Sequence, residues 1–311
     1  MEIFRDFRDV PDAARGATAA IGNFDGVHLG HRAVIETAQA ARPDAPLAVV
    51  TFEPHPREVF APGAPPFRLT GPEARANRLR KLGVDVLFEL PFDADLRELS
   101  PEDFAREVLA DGLGLAHAVT GPDFRFGKGR AGGADDLARF GAAMGFGTTV
   151  SEIREHNGLR VSSTAIRTAL SEGRPRDAAA LLGHWHRIDG PVLHGEKRGR
   201  DLGYPTANMS IEGLHPPRFG VYAVRVDVLG GPSAGTYDGA ASIGVRPMFG
   251  ENTANIETFL LNFSGDLYGQ PLSVALVDYL RPEATFDSLE TFIAQMDADC
   301  AEARTILDAL A

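Results

Sequence analysis

The sequence predicts two domains, an N-terminal α/β domain built on a parallel sheet and a mainly β C-terminal domain that ends in a helix. The chain has 311 residues, which is more than one compact core usually organises. Its first half alternates short apolar runs with helical patterns, as βα units around a parallel sheet do. After residues 183–185 this rhythm gives way to strands separated by turns rich in Gly and Pro.

Apolar runs in the first half predict buried strands, which lie at residues 17–21, 47–52, 84–90 and 116–120. Helical periodicity between these runs covers residues 31–41, 72–82 and 134–144. Ser100 is followed by Pro101 and two acidic residues, a pattern that predicts a helix start with an N-cap. The rhythm continues to about Leu182, and we therefore assign residues 1–185 to the first domain.

The second half predicts an antiparallel sheet or small barrel, because its strand patterns are joined by short turns. These strand patterns lie at residues 221–229, 240–245, 256–263 and 272–280. A last helical stretch at residues 288–309 is expected to pack against this sheet. We assign residues 186–311 to the second domain.

Charge and cysteine content limit the partners and the compartment. The net charge of −12 opposes general binding to nucleic acid or to anionic lipid, since phosphate backbones are held mainly through Lys and Arg. Cys300 is the only cysteine, so neither an intramolecular disulfide nor a Cys-based zinc site can form. No apolar run approaches the roughly 18 residues of a membrane span. We expect a cytoplasmic protein with small-molecule partners.

A Gly-rich turn in residues 20–31 leads from a predicted strand into a helix, where backbone N–H groups and the helix dipole favour phosphate. His28 and His31 are three residues apart and fall on one side of the helix, and Gly30 between them lets a phosphate approach the backbone. Two imidazoles could donate to one triphosphate. The alternatives are a turn with two solvated histidines, or half of a metal site.

A second strand-to-helix junction, residues 161–167, carries hydroxyl groups at the cap positions and a cation one turn later. Ser163, Thr164 and Arg167 could hold the same ATP, although an ordinary N-cap with a solvated arginine explains this segment alone. The loop at residues 121–130 adds three cations, as a substrate loop or as a solvated basic loop.

Four segments together resemble the nucleotidylyltransferase module of prokaryotic bifunctional riboflavin kinase/FAD synthetases: residues 22–31, 51–56, 121–127 and 161–167. The resemblance implies a Rossmann-like domain with a parallel sheet, in which His28, His31 and Arg167 act on the ATP phosphates. It also implies an ATP site at Gly22, Asn23, Phe24, Gly30, Ser163 and Thr164. A flavin site is implied at His55, Pro56, Asp123 and Phe124.

The loop at residues 194–203 spaces glycines four apart and interleaves three cations, as a loop over phosphates might, or as a charged hairpin would. The strand predicted after it places Thr206 and Asn208 on one face. Their hydroxyl and amide oxygens suit Mg²⁺ shared with nucleotide phosphates, or they serve as turn-capping groups. Glu257 is the one acid in an apolar strand and is either a base for a hydroxyl or a solvent-facing residue.

The second half resembles the riboflavin kinase module, a six-stranded antiparallel barrel, through residues 194–208, 218–224, 243–250, 257–263, 266–269 and 280–286. The resemblance implies Mg²⁺ at Thr206 and Asn208 and Glu257 as catalytic base. It implies an ATP loop with Lys197, Gly199 and Gly203, and it places Arg281, Glu283 and Phe286 near the flavin.

The predicted function is ATP-dependent conversion of riboflavin to FMN and then of FMN to FAD, with Mg²⁺ as cofactor and the flavins as substrates and products. A dehydrogenase is one rival, because residues 127–132 fit G-x-G-x-x-G. That motif follows an aromatic and cationic loop, and no suitable acid follows about 20 residues later. A flavin-binding regulator that has lost activity is the other rival, and fold alone does not exclude it.

Overall fold

The computed structural model describes residues 1–156, 158–194, 204–248 and 251–310. The chain divides into two compact units. The first contains Met1–Ala64 and Pro72–Val161, and the second contains Pro65–Gly71 and Ser162–Ala311. Each unit has its own sheet. Among the described residues, none of the helices is long and apolar enough to cross a bilayer.

The first unit is built on a six-stranded sheet in which every neighbouring pair is parallel. Its strands are β1 (Glu2–Phe4), β2 (Thr18–Ile21), β3 (Leu47–Glu53), β4 (Val86–Pro91), β5 (His117–Thr120) and β6 (Gly147–Val150). The spatial order is β1-β4-β3-β2-β5-β6. The chain moves outward from β2 on one side and then returns to place β5 on the other side. The switch point, where α/β sheets bind ligands, therefore lies between β2 and β5.

Helices cover this sheet because its strands are apolar on both faces. In β2, Ile21 belongs to the core on one face and Ala20 to the core on the other, and both are buried. The helices are α1 (Leu29–Ala41), α2 (Pro56–Phe60), α3 (Pro72–Lys81), α4 (Ala94–Glu98), α5 (Pro101–Asp103) and α6 (Ala134–Met144). Shorter elements are the 3₁₀ turns Asp12–Ala14 and Lys128–Arg130, the π-helical Phe104–Gly112, and the hairpin β7 (Glu155–His156) and β8 (Leu159–Arg160).

The second unit contains a six-stranded antiparallel sheet with the order β10-β13-β12-β11-β14-β9. Its strands are β9 (His186–Pro191), β10 (Thr206–Ser210), β11 (Gly220–Val228), β12 (Gly235–Met248), β13 (Glu251–Leu260) and β14 (Pro271–Arg281). Leu193, just after β9, donates its N–H to the carbonyl of Asn208 in β10 at 2.8 Å. This bridge brings the two ends of the sheet together, and the sheet curves into a half-barrel around an apolar core.

The described residues of the second unit also form the helices α7 (Ser163–Ser171), α8 (Pro175–Leu182) and α9 (Leu289–Asp308). The predicted terminal helix is confirmed, and Ser288 caps it by accepting a hydrogen bond from the N–H of Thr291 at 3.2 Å. Ala303 and Leu307 of this helix are fully buried against the outer face of the sheet. On α8, Arg176 pairs with Asp278 of β14 at 2.8 Å.

His186, the first residue of β9, gives the second unit a pH-dependent stability. Burial, with smaller contributions from His184 and His215, lowers the pKa of His186 from 6.5 to about 3. Between these two values the unfolded chain binds a proton that the folded chain excludes, so stability falls as the pH falls below 6.5. The slope for one such group is about 1.4 kcal/mol per pH unit.

We predict that His186→Gln weakens this loss of stability, because the amide does not titrate. Urea unfolding followed by the fluorescence of Trp185, the single tryptophan, measures the second unit between pH 7 and pH 4. The parent protein should lose stability faster than the variant on acidification. Equal slopes for the two proteins would contradict the assignment of His186 as a buried neutral imidazole.

Candidate active sites

The turn between β2 and α1 bends sharply because two of its side-chain-bearing residues adopt left-handed backbone angles. Phe24 has φ 51° and Val27 has φ 43°, and both side chains are buried. A β-branched residue rarely adopts this conformation, which costs about 1–3 kcal/mol. The turn emerges at the carboxyl end of β2, beside the switch point, where a ligand is expected.

His28 and His31 form the closest aromatic contact of this turn. The ring centroids are 3.6 Å apart and the planes differ by 12°. His28 is the N-cap of α1, and its Nδ1 accepts the N–H of His31 at 3.2 Å. Because Nδ1 is an acceptor, the neutral His28 ring carries its proton on Nε2 and can donate from there. Helix α1 therefore begins at Leu29, two residues earlier than the sequence pattern predicted.

The His31 ring lies in an environment that favours its neutral form. Its Nδ1 is enclosed and has no hydrogen-bond partner among the residues that the structure describes. Burial, and then the neighbouring His28, hold the pKa of His31 well below its ordinary value. Gly30 contributes by lacking a side chain, since a Cβ there would lie 3.1 Å from the His28 ring. Two stacked imidazoles with a donor Nε2 beside a helix N-terminus can bind phosphate oxygens.

The His55 segment follows β3 at the same edge of the sheet. The Glu53-Pro54 peptide bond is cis. His55 caps α2, because its Nδ1 accepts the N–H of Arg57 at 3.1 Å, and Pro56 is the first helical residue. A cap of this kind fixes the ring of His55 relative to the helix.

A buried ion network that the sequence did not predict lies next to this segment. Arg75 of α3 is 2% exposed, and its Nη2 lies 3.0 Å from Glu53 Oε2 and 2.9 Å from Glu89 Oε2. Arg5 Nε contacts the other oxygen of Glu89 at 3.0 Å. Buried charges require partners, and these contacts fix the end of β3 just before the cis peptide. In the sequence, the one sign that Arg75 is buried is its position between two small apolar residues, Ala74 and Ala76.

The loop after β5 carries the other predicted flavin residues of the first unit. Asp123 forms an ion pair with Arg160. Phe124 stacks on Phe126, with ring centroids 5.5 Å apart, and packs against the core of the unit. Gly22, Asn23 and Phe24 lie in the turn that follows the neighbouring strand β2, and the Asn23 carbonyl accepts from Thr51 Oγ1 at 3.1 Å.

Ser163, Thr164 and Arg167 lie in α7, which belongs to the second unit. Ser162, rather than Ser163 or Thr164, is the N-cap, and its Oγ accepts the N–H of Ala165 at 3.2 Å. Arg167 Nη2 lies 3.5 Å from Thr164 Oγ1, so the two predicted side chains are neighbours. The sharing of one ATP by these residues and the histidine pair stays a prediction.

Strand register in the second unit positions the residues predicted for the kinase reaction. Asn208 of β10 lies directly opposite Glu257 of β13, and Ser242 of β12 lies opposite Glu257 on its other side. Directly paired residues place their side chains on the same face of an antiparallel sheet. Thr206, two residues from Asn208, shares that face, and Asn208 Nδ2 is 3.5 Å from Thr206 Oγ1. Ser242 was not predicted, because only the register reveals it.

Glu283 lies over the same face, at Gly244. Gly244 is two residues from Ser242 in β12, and a Cβ built on it would collide with the Glu283 carboxylate. Arg281 makes two hydrogen bonds to Asp299 of α9, at 2.8 and 2.7 Å, and its guanidinium lies 5.8 Å from the Phe286 ring centroid. The three predicted flavin residues of this unit are thus grouped near one end of β14. Lys197, Gly199 and Gly203 lie outside the described residues.

Comparison with known proteins finds one family match in each half of the sequence. The FAD synthetase family matches residues 10–165, and the riboflavin kinase family matches residues 182–307. A bifunctional riboflavin kinase/FMN adenylyltransferase of Pseudomonas fluorescens is 42% identical over 309 residues, which cover 98% of each chain. Its counterpart in Escherichia coli K12 is 37% identical over 307 residues, 98% of this chain and 97% of the relative. Its counterpart in Bacillus subtilis is 38% identical over 295 residues, 91% and 90% of the two chains.

A crystal structure from Streptococcus pneumoniae, of a protein described as a macrolide-efflux protein, has the same fold. It is 29% identical, covers 96% of both chains and gives a TM-score of 0.82. The likeness extends over nearly the whole length of this chain.

The protein is therefore a transferase that moves phosphorus groups from ATP to flavins. The chain belongs to the bifunctional riboflavin kinase/FMN adenylyltransferases, as the full-length relatives show. It phosphorylates riboflavin to FMN and adenylylates FMN to FAD. The resemblance drawn from the motifs, the α/β and mainly β fold classes and the bifunctional activity are confirmed, and the dehydrogenase and regulator alternatives are set aside.

The packing of Glu283 on Gly244 leads to a prediction. In Gly244→Ala the new methyl group displaces the end of a flexible side chain, so we expect little change in melting temperature. We expect the KM of the kinase for riboflavin to rise, because the Glu283 carboxylate must leave the face that carries Glu257. Steady-state kinase assays with calorimetry measure both effects. An unchanged KM would show that Glu283 does not need this position.

Proposed function

We propose that Glu257 is the base of the kinase reaction and that Thr206 and Asn208 hold Mg²⁺ together with ATP. The observation that carries the proposal is the register of β10 and β13, in which Asn208 pairs with Glu257. Thr206 and Asn208 present a hydroxyl and an amide oxygen, the hard ligands that Mg²⁺ prefers. Asn208 is 9% exposed, and Thr206 is partly buried.

The kinase step follows from this arrangement. Riboflavin presents its 5′-hydroxyl to the γ-phosphorus of ATP, and Glu257 accepts the hydroxyl proton as the new P–O bond forms. The bond from the γ-phosphorus to its bridging oxygen breaks, and ADP leaves. Mg²⁺, when bound, neutralises charge on the phosphates. Arg281, Glu283 and Phe286 are assigned to the flavin, and Lys197, Gly199 and Gly203 are assigned to ATP binding.

Adenylyl transfer is proposed to use His28 and His31 on the ATP phosphates. The FMN phosphate attacks the α-phosphorus, and pyrophosphate leaves. This nucleophile is already an anion, so the reaction requires no base. The donor Nε2 of His28 supports a role in phosphate binding. The remaining ATP contacts are assigned to Gly22, Asn23, Phe24, Gly30, Ser163, Thr164 and Arg167, and the flavin contacts to His55, Pro56, Asp123 and Phe124.

We also propose that the enzyme works in the cytoplasm and binds neither nucleic acid nor membranes. The single cysteine suits a reducing compartment, and a net charge of −12 repels phosphate backbones and anionic lipids.

His28→Ala combined with His31→Ala should abolish FAD formation while FMN still accumulates from riboflavin. The paired imidazoles serve only the adenylyl site. Chromatography of the products after incubation with riboflavin, ATP and Mg²⁺ separates FMN from FAD. Loss of both products in a folded variant would refute the assignment.

Glu257→Gln keeps the shape of the side chain and removes the base. FMN formation should fall by about 10²- to 10⁴-fold, the usual contribution of general base catalysis. Supplied FMN should still become FAD at the parental rate, which serves as the internal control. A kinase rate equal to that of the parent would remove Glu257 from the mechanism.

The domain boundary near Trp185 is also a proposal, with residues 1–185 for adenylyl transfer and 186–311 for the kinase. A fragment of residues 186–311 should fold and make FMN, since Thr206, Asn208 and Glu257 lie within it. A fragment of residues 162–311 should melt at a higher temperature, because α7 and α8 pack in the second unit. A folded fragment of residues 186–311 without kinase activity would contradict the boundary.

A further inference from the structure

Helix α7 carries residues assigned to adenylyl transfer, yet besides packing on α8 it is held by residues of the kinase half of the sequence and by a short strap. The strap is Pro65–Gly71, which belongs to the second unit although its neighbours in sequence belong to the first. Phe67, Arg68 and Leu69 of the strap are buried, at 7%, 7% and 0% exposure.

The strap holds the side chain of Arg167. Arg167 Nη1 donates to the Phe67 carbonyl at 3.3 Å, and the guanidinium lies 5.7 Å from the centroid of the Phe67 ring. Its Nη2 reaches Thr164 Oγ1 at 3.5 Å. The backbone carbonyl and the aromatic ring of Phe67 therefore fix the direction of the Arg167 guanidinium. Arg167 lies on α7, whereas Phe67 lies on the strap.

His215 joins the strap to α7. Its backbone N–H donates to the Arg68 carbonyl at 2.7 Å, and Leu214 forms a parallel bridge with Arg68. Its ring Nε2 lies 3.1 Å from the Arg167 carbonyl and 2.9 Å from Ser171 Oγ. A carbonyl oxygen only accepts, so Nε2 carries the proton, and one residue thus binds both the strap and the helix.

His215 belongs to the kinase half of the sequence, although it contacts a helix assigned to adenylyl transfer. It follows β10, within the residues 182–307 that match the riboflavin kinase family. Nearby, the Arg218 N–H donates to the Leu170 carbonyl at 2.9 Å, so the same stretch holds α7 at a second place. Half-burial of the imidazole holds the pKa of His215 below its ordinary value, which favours the neutral ring. The neutral ring has one N–H group, at Nε2.

We propose that His215 is a positioning residue for adenylyl transfer, acting by holding Arg167 and the strap in register. The proposal rests on the proposed role of Arg167 at the ATP phosphates. A phosphate-binding guanidinium loses effect when it is misplaced by about 1 Å. His215 does not touch the kinase residues Thr206, Asn208 or Glu257 in any described contact, so the kinase reaction in the same chain provides an internal control.

The test compares His215→Leu with His215→Gln, whose Nε2 can replace the imidazole donor. For His215→Leu we expect the KM for ATP in the conversion of FMN to FAD to rise by about 3- to 10-fold, the effect of one or two hydrogen bonds. The kcat should change less, and both kinase constants should stay within about two-fold of the parent. His215→Gln should restore most of the loss. Glu212→Gln, an exposed change in the same turn, is the matched control.

His215→Asn, which is polar but too short to reach Arg167, replaces the Leu variant if that variant does not fold. Parental adenylyl kinetics in both disruption variants, or an equal loss in both reactions, would overturn the proposal. Arg167→Gln distinguishes a failure of the role proposed for Arg167 from a failure of the role proposed for His215. If it leaves adenylyl transfer unchanged, the proposed role of Arg167 fails and the inference fails with it. If Arg167→Gln lowers adenylyl transfer and the His215 variants do not, the inference alone fails.

Discussion

Strand register is the constraint on which both proposed sites depend. In the second unit a slip of one residue between β10 and β13 would turn Glu257 or Asn208 to the opposite face, since side chains alternate along a strand. In the first unit, parallel pairing of β2 with β3 and β5 brings their carboxyl ends to one edge. The histidine turn and the His55 segment begin at that edge. Strand register thus determines which side chains lie together in each of the two proposed sites.

The two reactions place different demands on these surfaces. A hydroxyl nucleophile requires a base, and the sheet of the second unit places Glu257 beside the hydroxyl of Thr206 and the amide of Asn208. A phosphate nucleophile is already charged and requires groups that stabilise negative charge. The first unit offers the N-terminus of α1 with the stacked imidazoles of His28 and His31. Helix α7 is assigned to adenylyl transfer but belongs to the second unit. Helix α7 follows the α/β part of the sequence, but the strap and His215 hold it in the second unit.

The sequence predicted the features that depend on local pattern. Long apolar strands, the helix start capped by Ser100 and the glycine-histidine turn all carry their signals within about ten residues. β1 and β6 were missed because they have only three and four residues with few buried side chains. The Arg75 network and the Ser242 pairing were missed for another reason. Their partners are distant in sequence, Glu53 being 22 residues from Arg75, and only the folded register brings them together.

One chain is proposed to carry two separable sets of residues, one for each reaction. The most direct test mixes the His28→Ala/His31→Ala variant, which lacks the adenylyl set, with the Glu257→Gln variant, which lacks the kinase base. Riboflavin, ATP and Mg²⁺ are added, and the flavins are separated over time. We predict that the mixture forms FMN first and FAD afterwards, at a rate that depends on both proteins. Absence of FAD from a mixture of two folded variants would contradict it.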